Sequence, residues 1–388
     1  MIDQPIRFPG QLRAPPPLAL YIHLPWCVQK CPYCDFNSHV TASVPEAEYL
    51  DALERDLIAA LPQVWGREIV SVFIGGGTPS LFSAAGIDRL LTQVRTLLRV
   101  NPAAEITLEA NPGSFEVAKF EGFRAAGVNR VSLGIQSFDD TALKRIGRVH
   151  DGEQARRAAA AAREIFDNLN LDLIYALPEQ DEAAWRRDLD TALAFAPDHL
   201  SAYHLTLEPN TAFGHTPPAN LPDDDTAAAM QEQAEATLAA AGFVHYETSA
   251  FARPYRQSQH NLNYWQFGDY LGIGAGAHSK LSLPTGMVRQ ARTRHPAAYM
   301  STAGTAAAFT ETAVARKDLP FEFMMNALRL LDGADARLYL ERTGLPLPAG
   351  LLQKARERGL LSTTAERLAP TPLGQRFLND LLEMFLAD

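Results

Sequence analysis

Three cysteines occur in the chain, Cys27, Cys31 and Cys34, at spacings of four and three. An odd, tightly spaced set is the wrong pattern for a disulfide framework and the right one for metal ligation. Iron–sulfur clusters are usually held by four thiolates. Three thiolates on a four-iron cluster leave one iron open, and an open iron can chelate the amino and carboxylate groups of S-adenosylmethionine. An electron from the cluster then cleaves the sulfonium to an adenosyl radical, chemistry that belongs to the cofactor and not to the protein. The competing reading is a zinc site completed by His23 or His39. Structural zinc sites usually pair their ligands in two separated knuckles, and no second Cys or His pair stands at a fitting spacing.

Further polar residues cluster at the ends of short apolar runs: Gly75-Gly76-Gly77-Thr78, Glu109-Ala110-Asn111-Pro112, Gln136-Ser137 and Asp172. The glycines uncover backbone where a ligand can approach closely. No Gly-Lys-Ser or Gly-Lys-Thr follows them, so this is not a phosphate loop. A guanidinium such as Arg148 matches a carboxylate, and an ionised Asp172 accepts hydrogen bonds from hydroxyls. Downstream, His260 stands with Tyr264 and Trp265, one imidazole beside two flat faces. Imidazole ligates haem iron, and aromatic rings pack on a porphyrin plane. Gly272, Gly274 and Gly276 lack the strand–turn–helix context of a dinucleotide site and read as close backbone packing.

The elements that must position these residues alternate. Strand candidates at 18–24, 69–74, 105–109, 130–135, 170–175 and 199–207 are each followed by a helical, often alanine-rich stretch. This is βαβ alternation, and six such units predict an α/β fold with a partial TIM-like barrel whose chemistry sits at the carboxyl ends of the strands. A doubly wound sheet shares the same alternation. A proline-rich leader is expected over 1–17, the barrel over 18–210, a β-containing extension over 211–310 and a small C-terminal domain over 317–388. The Asp223-Asp224-Asp225 run predicts a capped helix start, and the Ala- and Thr-rich stretch 302–315 reads as a linker. Helices are expected over 321–331, 351–358 and 374–385, with a hairpin at 363–368, an order like that of a winged helix.

A formal charge of −10 argues against a general nucleic-acid surface, and residues 317–388 hold nine Lys and Arg against ten Asp and Glu. No nucleic-acid partner is expected. The start of the chain carries no signal pattern and there is no apolar run of membrane-spanning length, so the expected location is the cytoplasm.

The segment from Leu20 to His39, with Gly75-Gly-Gly-Thr-Pro79, Glu109-Ala-Asn-Pro112, Gly134-Ile-Gln-Ser-Phe138, Gly147-Arg-Val-His150 and Asn170-Leu-Asp172, resembles the radical S-adenosylmethionine superfamily. Together with Leu207-Glu-Pro-Asn-Thr211 and His260-Asn-Leu-Asn-Tyr-Trp265, it is similar to the branch holding the oxygen-independent coproporphyrinogen III oxidases and the haem chaperones. The resemblance runs through nearly the whole chain from about residue 18. It implies a [4Fe–4S] cluster on Cys27, Cys31 and Cys34, and an S-adenosylmethionine pocket of Tyr21, Tyr33, Gly76, Gly77, Thr78, Glu109, Gln136, Arg148 and Asp172. In that pocket Arg148 pairs with the carboxylate, Asp172 takes the ribose hydroxyls and the glycine segment meets the amino group. It also implies haem at His260, Tyr264 and Trp265, with His260 the axial ligand ahead of His23, His39, His245 and His278.

The oxidases carry a further cysteine two residues past the third, where this chain has Phe36, and they have a longer N-terminal extension. The chaperone function is therefore preferred over oxidative decarboxylation of a porphyrinogen. On that reading the partners are haem and a haem-acceptor protein, such as a respiratory haem protein. Membrane contact would be transient and made through that partner, and a homodimer is compatible with it.

Overall fold

The computed structural model describes residues 15–112 and 117–387, so most of the expected leader lies outside the described residues. Six strands carry the barrel: β1 (Leu18–Leu24), β2 (Glu68–Gly76), β3 (Arg99–Ala110), β4 (Arg130–Gln136), β5 (Leu169–Tyr175) and β6 (His199–His204). They lie side by side in chain order, every pair parallel. The expected six βα units and partial barrel are thus present.

Period-two alternation explains both faces of these strands. On β4, Val131, Leu133 and Ile135 are fully buried in the main apolar core, while Arg130, Ser132, Gly134 and Gln136 line cavities on the other side. On β5, Leu169, Leu171 and Leu173 join the core and Asn170 and Asp172 turn to the cavity. Crossover helices cover the apolar face. The helix Gly152–Ile165 opens with a capping box between Asp151 and Gln154 and buries Ala155, Ala158, Ala159 and Ala162, a helical stripe of small residues that lets it lie close on the sheet. In Glu182–Ala194, Trp185 is fully buried and its indole N–H donates to the Met230 carbonyl at 2.9 Å.

The sheet does not stop at six strands. β7 (Val244–Glu247) and β8 (Ala250–Ala252) extend it antiparallel beyond β6. At the other end β9 (Asp269–Ile273) pairs parallel with β1, followed antiparallel by β10 (His278–Leu283), β11 (Gly286–Arg292) and β12 (Phe309–Ala313). Among the described residues the order is β12-β11-β10-β9-β1-β2-β3-β4-β5-β6-β8-β7. The stretch 302–315 is therefore not a linker: residues 309–313 form the edge strand, with Thr310 and Thr312 in register with Ala291 and Arg289. The aspartate run does start a helix, Asp224–Ala240, capped by Asp223 accepting from the Thr226 N–H.

The C-terminal segment has its own apolar cluster around Phe323, Met324, Tyr339, Leu352, Leu381 and Phe385. Its helices are Leu319–Ala327, Ala336–Thr343, Ala349–Glu357, Pro372–Arg376 and Leu378–Glu383. The helix expected over 374–385 is divided at Phe377, which leaves helical backbone at ψ 44°. Arg367–Leu368 pairs antiparallel with Ala334–Asp335 across the two middle helices, in place of a hairpin closed within 363–368.

Candidate functional site

β1 runs directly into the cysteine loop. Trp26–Cys27 pairs in parallel with His39–Val40, so the loop closes on itself, and a turn brings the Cys34 N–H to the Cys31 carbonyl at 3.1 Å. Asn37 ties the loop to the extension by donating to the carbonyls of Ala275 and Arg294 at 2.9 and 2.8 Å. Gly276, at φ 79°, leaves room for the Asn37 side chain, which a Cβ there would meet at 2.3 Å. The reading of these glycines as close backbone packing beside the loop fits that contact.

The three thiols line one cavity of about 150 Å³, together with Tyr33, Gly76, Gly77, Thr78, Glu109, Asn111, Gln136, Arg148 and Asp172. Cys27 Sγ accepts from Thr78 Oγ1 at 3.6 Å, and Cys31 Sγ from Arg148 Nη1 at 3.5 Å. Burial pushes the Cys27 and Cys34 thiols up. Arg148 supplies the nearby positive charge that thiolates need. Among the described residues no set of His, Cys, Asp and Glu converges to hold a single metal ion. Three thiols on one cavity wall are the ligand set that leaves one iron of a four-iron cluster open.

The wall opposite the thiols is built from strand ends. The Gly76 N–H donates to Glu109 Oε2 at 3.2 Å, and the Gly77 and Thr78 N–H groups donate to the Leu24 and Trp26 carbonyls at 2.8 Å each. A Cβ on Gly77 would stand 2.5 Å from the Trp26 carbonyl oxygen, and Gly76 is at φ 120° with the His23 ring against it. The glycine run thus presses β2 against the cysteine loop, and its backbone donors are spent on protein acceptors.

Burial first, and the Asp172 charge second, push the Glu109 carboxyl up to about 7. Burial likewise raises Asp172, against hydrogen bonds from Asn170 Nδ2 at 2.9 Å and Ser132 Oγ at 3.0 Å. Gln136 sits in the left-handed region at φ 69°, beside a bulge in the β4–β5 register. That conformation is costly for a non-glycine residue and turns the strand end into the cavity. Arg148 donates to Asn111 Oδ1 and to the Gly134 carbonyl at 2.8 Å, yet its buried Nε has no partner.

Of the expected residues, Tyr33, Gly76, Gly77, Thr78, Glu109, Gln136, Arg148 and Asp172 are brought together with the thiols, and Tyr21 is not. Tyr21 opens on a neighbouring cleft, its hydroxyl 2.9 Å from His23 Nδ1. Asn111 links Thr78 Oγ1, at 2.9 Å, to Arg148 and was visible only as part of a motif without a role. Arg130, Ser132, Asn170 and Ser201 line the lumen beneath. Their alternation with core residues was the signal that reveals them.

The His260 segment is a short helix, Gln259–Trp265, capped by Ser258. His260 is 1% exposed. Ser71 Oγ lies 3.0 Å from its Nδ1 and Tyr264 Oη 3.1 Å from its Nε2. Burial, then the Arg130 charge, pushes the ring down to about 3. Both ring nitrogens therefore have partners within the protein, with Tyr264 on the Nε2 side. The Trp265 ring turns away and lies under the Arg329 guanidinium at 4.4 Å. It packs with Tyr246, Ala250 and Leu330. Residues four apart share a helix face and the next residue does not, which is why the motif divides.

A six-stranded parallel partial barrel whose first strand feeds a three-thiol loop is the architecture of a radical S-adenosylmethionine protein. The Radical SAM superfamily model matches residues 21–192 and the HemN C-terminal domain model residues 314–377. The chain is 47% identical to the haem chaperone HemW of Escherichia coli (strain K12) over 96% of this chain and 99% of that one. It is 32% identical to the protein of the same name from Bacillus subtilis (strain 168), over 95% and 99%. The solved structure of E. coli coproporphyrinogen III oxidase, HemN, described as a radical SAM enzyme, superposes with a TM-score of 0.80 at 26% identity, covering 96% of this chain and 90% of that one. The chain belongs to the HemW family of radical S-adenosylmethionine proteins.

Proposed function

We propose that the protein is a haem chaperone, binding haem and handing it to an acceptor protein. On this reading it carries a [4Fe–4S] cluster on Cys27, Cys31 and Cys34, with S-adenosylmethionine at the open iron. The observation that carries the proposal is the full-length likeness, at 47% identity, to a protein named for that activity. Phe36 supports it, since it stands 60% exposed where the oxidases have a cysteine.

When bound, the cluster supplies an open iron and a single electron. The protein supplies the pocket. Arg148, with Nε unpaired in a buried setting, meets a carboxylate, and a desolvated guanidinium–carboxylate pair is a strong contact. Glu109 accepts from an amino group and from the Gly76 N–H. Asp172, held in place by Asn170 and Ser132, keeps acceptor capacity for ribose hydroxyls. Tyr33 and Gln136 close the side nearest the lumen.

Among the described residues no helix is long and apolar enough to cross a membrane. We place the carrier in the cytoplasm as a homodimer, touching the membrane only through an acceptor such as a respiratory haem protein. The test is a pair of assays on cluster-loaded protein. Haem should pass to an apo haem protein. Coproporphyrinogen III, with S-adenosylmethionine and a reductant, should not be converted to protoporphyrinogen, and efficient conversion would sink the chaperone reading.

A further inference from the structure

We propose that Ser71, Glu105 and Arg130, buried side chains on three neighbouring barrel strands, are positioning residues for the imidazole of His260. The inference rests on the haem-carrier reading, with His260 the iron ligand that the family resemblance implies. The ring is aimed by the barrel and not by its own short helix.

The three belong to the inner face of the sheet. Ser71 on β2 stands in register with Glu105 on β3, and Thr107, two residues along the same face of β3, with Arg130 on β4. Ser71 is fully buried, Glu105 is 8% exposed and Arg130 2%. Charges at that depth persist when they are paired and hydrogen-bonded. Arg130 Nε lies 3.9 Å from Glu105 Oε2 and makes no hydrogen bond among the described residues. Glu105 Oε1 accepts from Ser258 Oγ at 3.3 Å and from the His260 N–H at 3.2 Å. Ser258 caps the helix and His260 stands in its first turn, where backbone N–H groups have no partner within the helix. One carboxylate from the barrel therefore fixes the backbone that carries the ring.

The ring itself is held separately. Phe73 and Tyr21 lie beside it, with centroids 5.0 and 6.4 Å away, and such contacts place a ring without telling one nitrogen from the other. Ser71 does tell them apart, because its Oγ is 3.0 Å from Nδ1. A hydroxyl accepting from Nδ1–H leaves the lone pair on Nε2, towards which Tyr264 Oη donates at 3.1 Å. Metal-ligating histidines are fixed in this way: the other nitrogen donates to an acceptor that sets the tautomer and raises the basicity of the ring.

The experiment is a haem titration of the cluster-loaded full chain by Soret absorption, followed by the reduction potential of the bound haem. S71A should weaken binding about 10- to 100-fold and raise the potential, since a ligand without its acceptor donates less to ferric iron. S71T returns a hydroxyl to the strand and should restore both. E105Q/R130M removes the two charges together, so that neither is left buried alone, and should weaken binding while circular dichroism stays that of wild type. T107A removes a buried hydroxyl of the same face that makes no hydrogen bond among the described residues, and should leave affinity and potential unchanged. Wild-type affinity and potential in S71A would overturn the assignment while the haem-carrier reading stands, and so would a T107A that shifts as S71A does. Unchanged binding by folded E105Q/R130M would strike Glu105 and Arg130 from it. A wild type that binds no haem, or binds it without an imidazole spectrum, would overturn the reading beneath.

Discussion

Glu109 holds a carboxyl inside the barrel mouth, between the Gly76 N–H and Asp172. Its value near 7 in the fold exceeds the ordinary 4.5, so the native state binds the extra proton between those limits. Stability from this group is full below the lower value and is lost as pH rises through the upper one. E109Q keeps an acceptor for Gly76 and removes the charge. In cofactor-free protein it should match wild type in urea unfolding near pH 4.5 and exceed it by about 1–3 kcal/mol above pH 7. A gap that does not widen with pH would contradict the burial argument. At this scale the meeting of the cysteines with Arg148 and Asp172 in one cavity was legible from their types and the motifs that carry them. The packing partners of His260 and Trp265 were not, because a motif names a residue without saying which way its helix turns it. Only the packing shows Nε2 held by Tyr264 and Trp265 covered by Arg329.

The glycine run at the end of β2 is an element-scale device, since it sets how closely that strand meets the cysteine loop. G77A would drive a methyl group to 2.5 Å from the Trp26 carbonyl oxygen, a backbone neighbour with little freedom to yield. The variant should lose about 1–3 kcal/mol of stability and retain less iron per chain after reconstitution than wild type, measured by thermal melt and iron analysis. Full iron content with an unchanged melt would show that the contact relaxes freely. The strand positions were readable because apolar residues run together or recur at every second position in most of them, and 18–24 coincides with Leu18–Leu24. The edge strand Phe309–Ala313 was hidden because its pattern is largely exposed and Thr-rich, with pairing to β11 supplying the order. The helix Ala336–Thr343 was missed for a similar reason: it is short and ends at Gly344 in the left-handed region.

At the scale of the molecule, the barrel sheet and the C-terminal cluster meet along one seam. Arg329 donates to Glu247 at 3.1 Å and covers Trp265, and the Thr248 and Leu331 N–H groups donate to the Arg329 and Tyr246 carbonyls at 3.1 Å. R329A leaves a buried carboxylate without its cation and should cost about 1–2 kcal/mol, discounted because the arginine is partly exposed. Limited proteolysis between the barrel and residues 317–388 should quicken, and a cleavage pattern identical to wild type would argue that the seam is held elsewhere. One segment belongs to both sides: Tyr264 lines the cleft, and Phe267, three residues on, is fully buried in the C-terminal cluster against Phe323. A load placed on Tyr264 is therefore felt by the C-terminal domain. If haem bears on Tyr264, thermodynamic reciprocity requires that whatever grips that domain alters, by the same factor, how tightly haem is held. Acceptor affinity with and without haem measures one side of that equality, and haem affinity with and without the acceptor measures the other. A factor of one in both would show that the ring and its neighbour move independently.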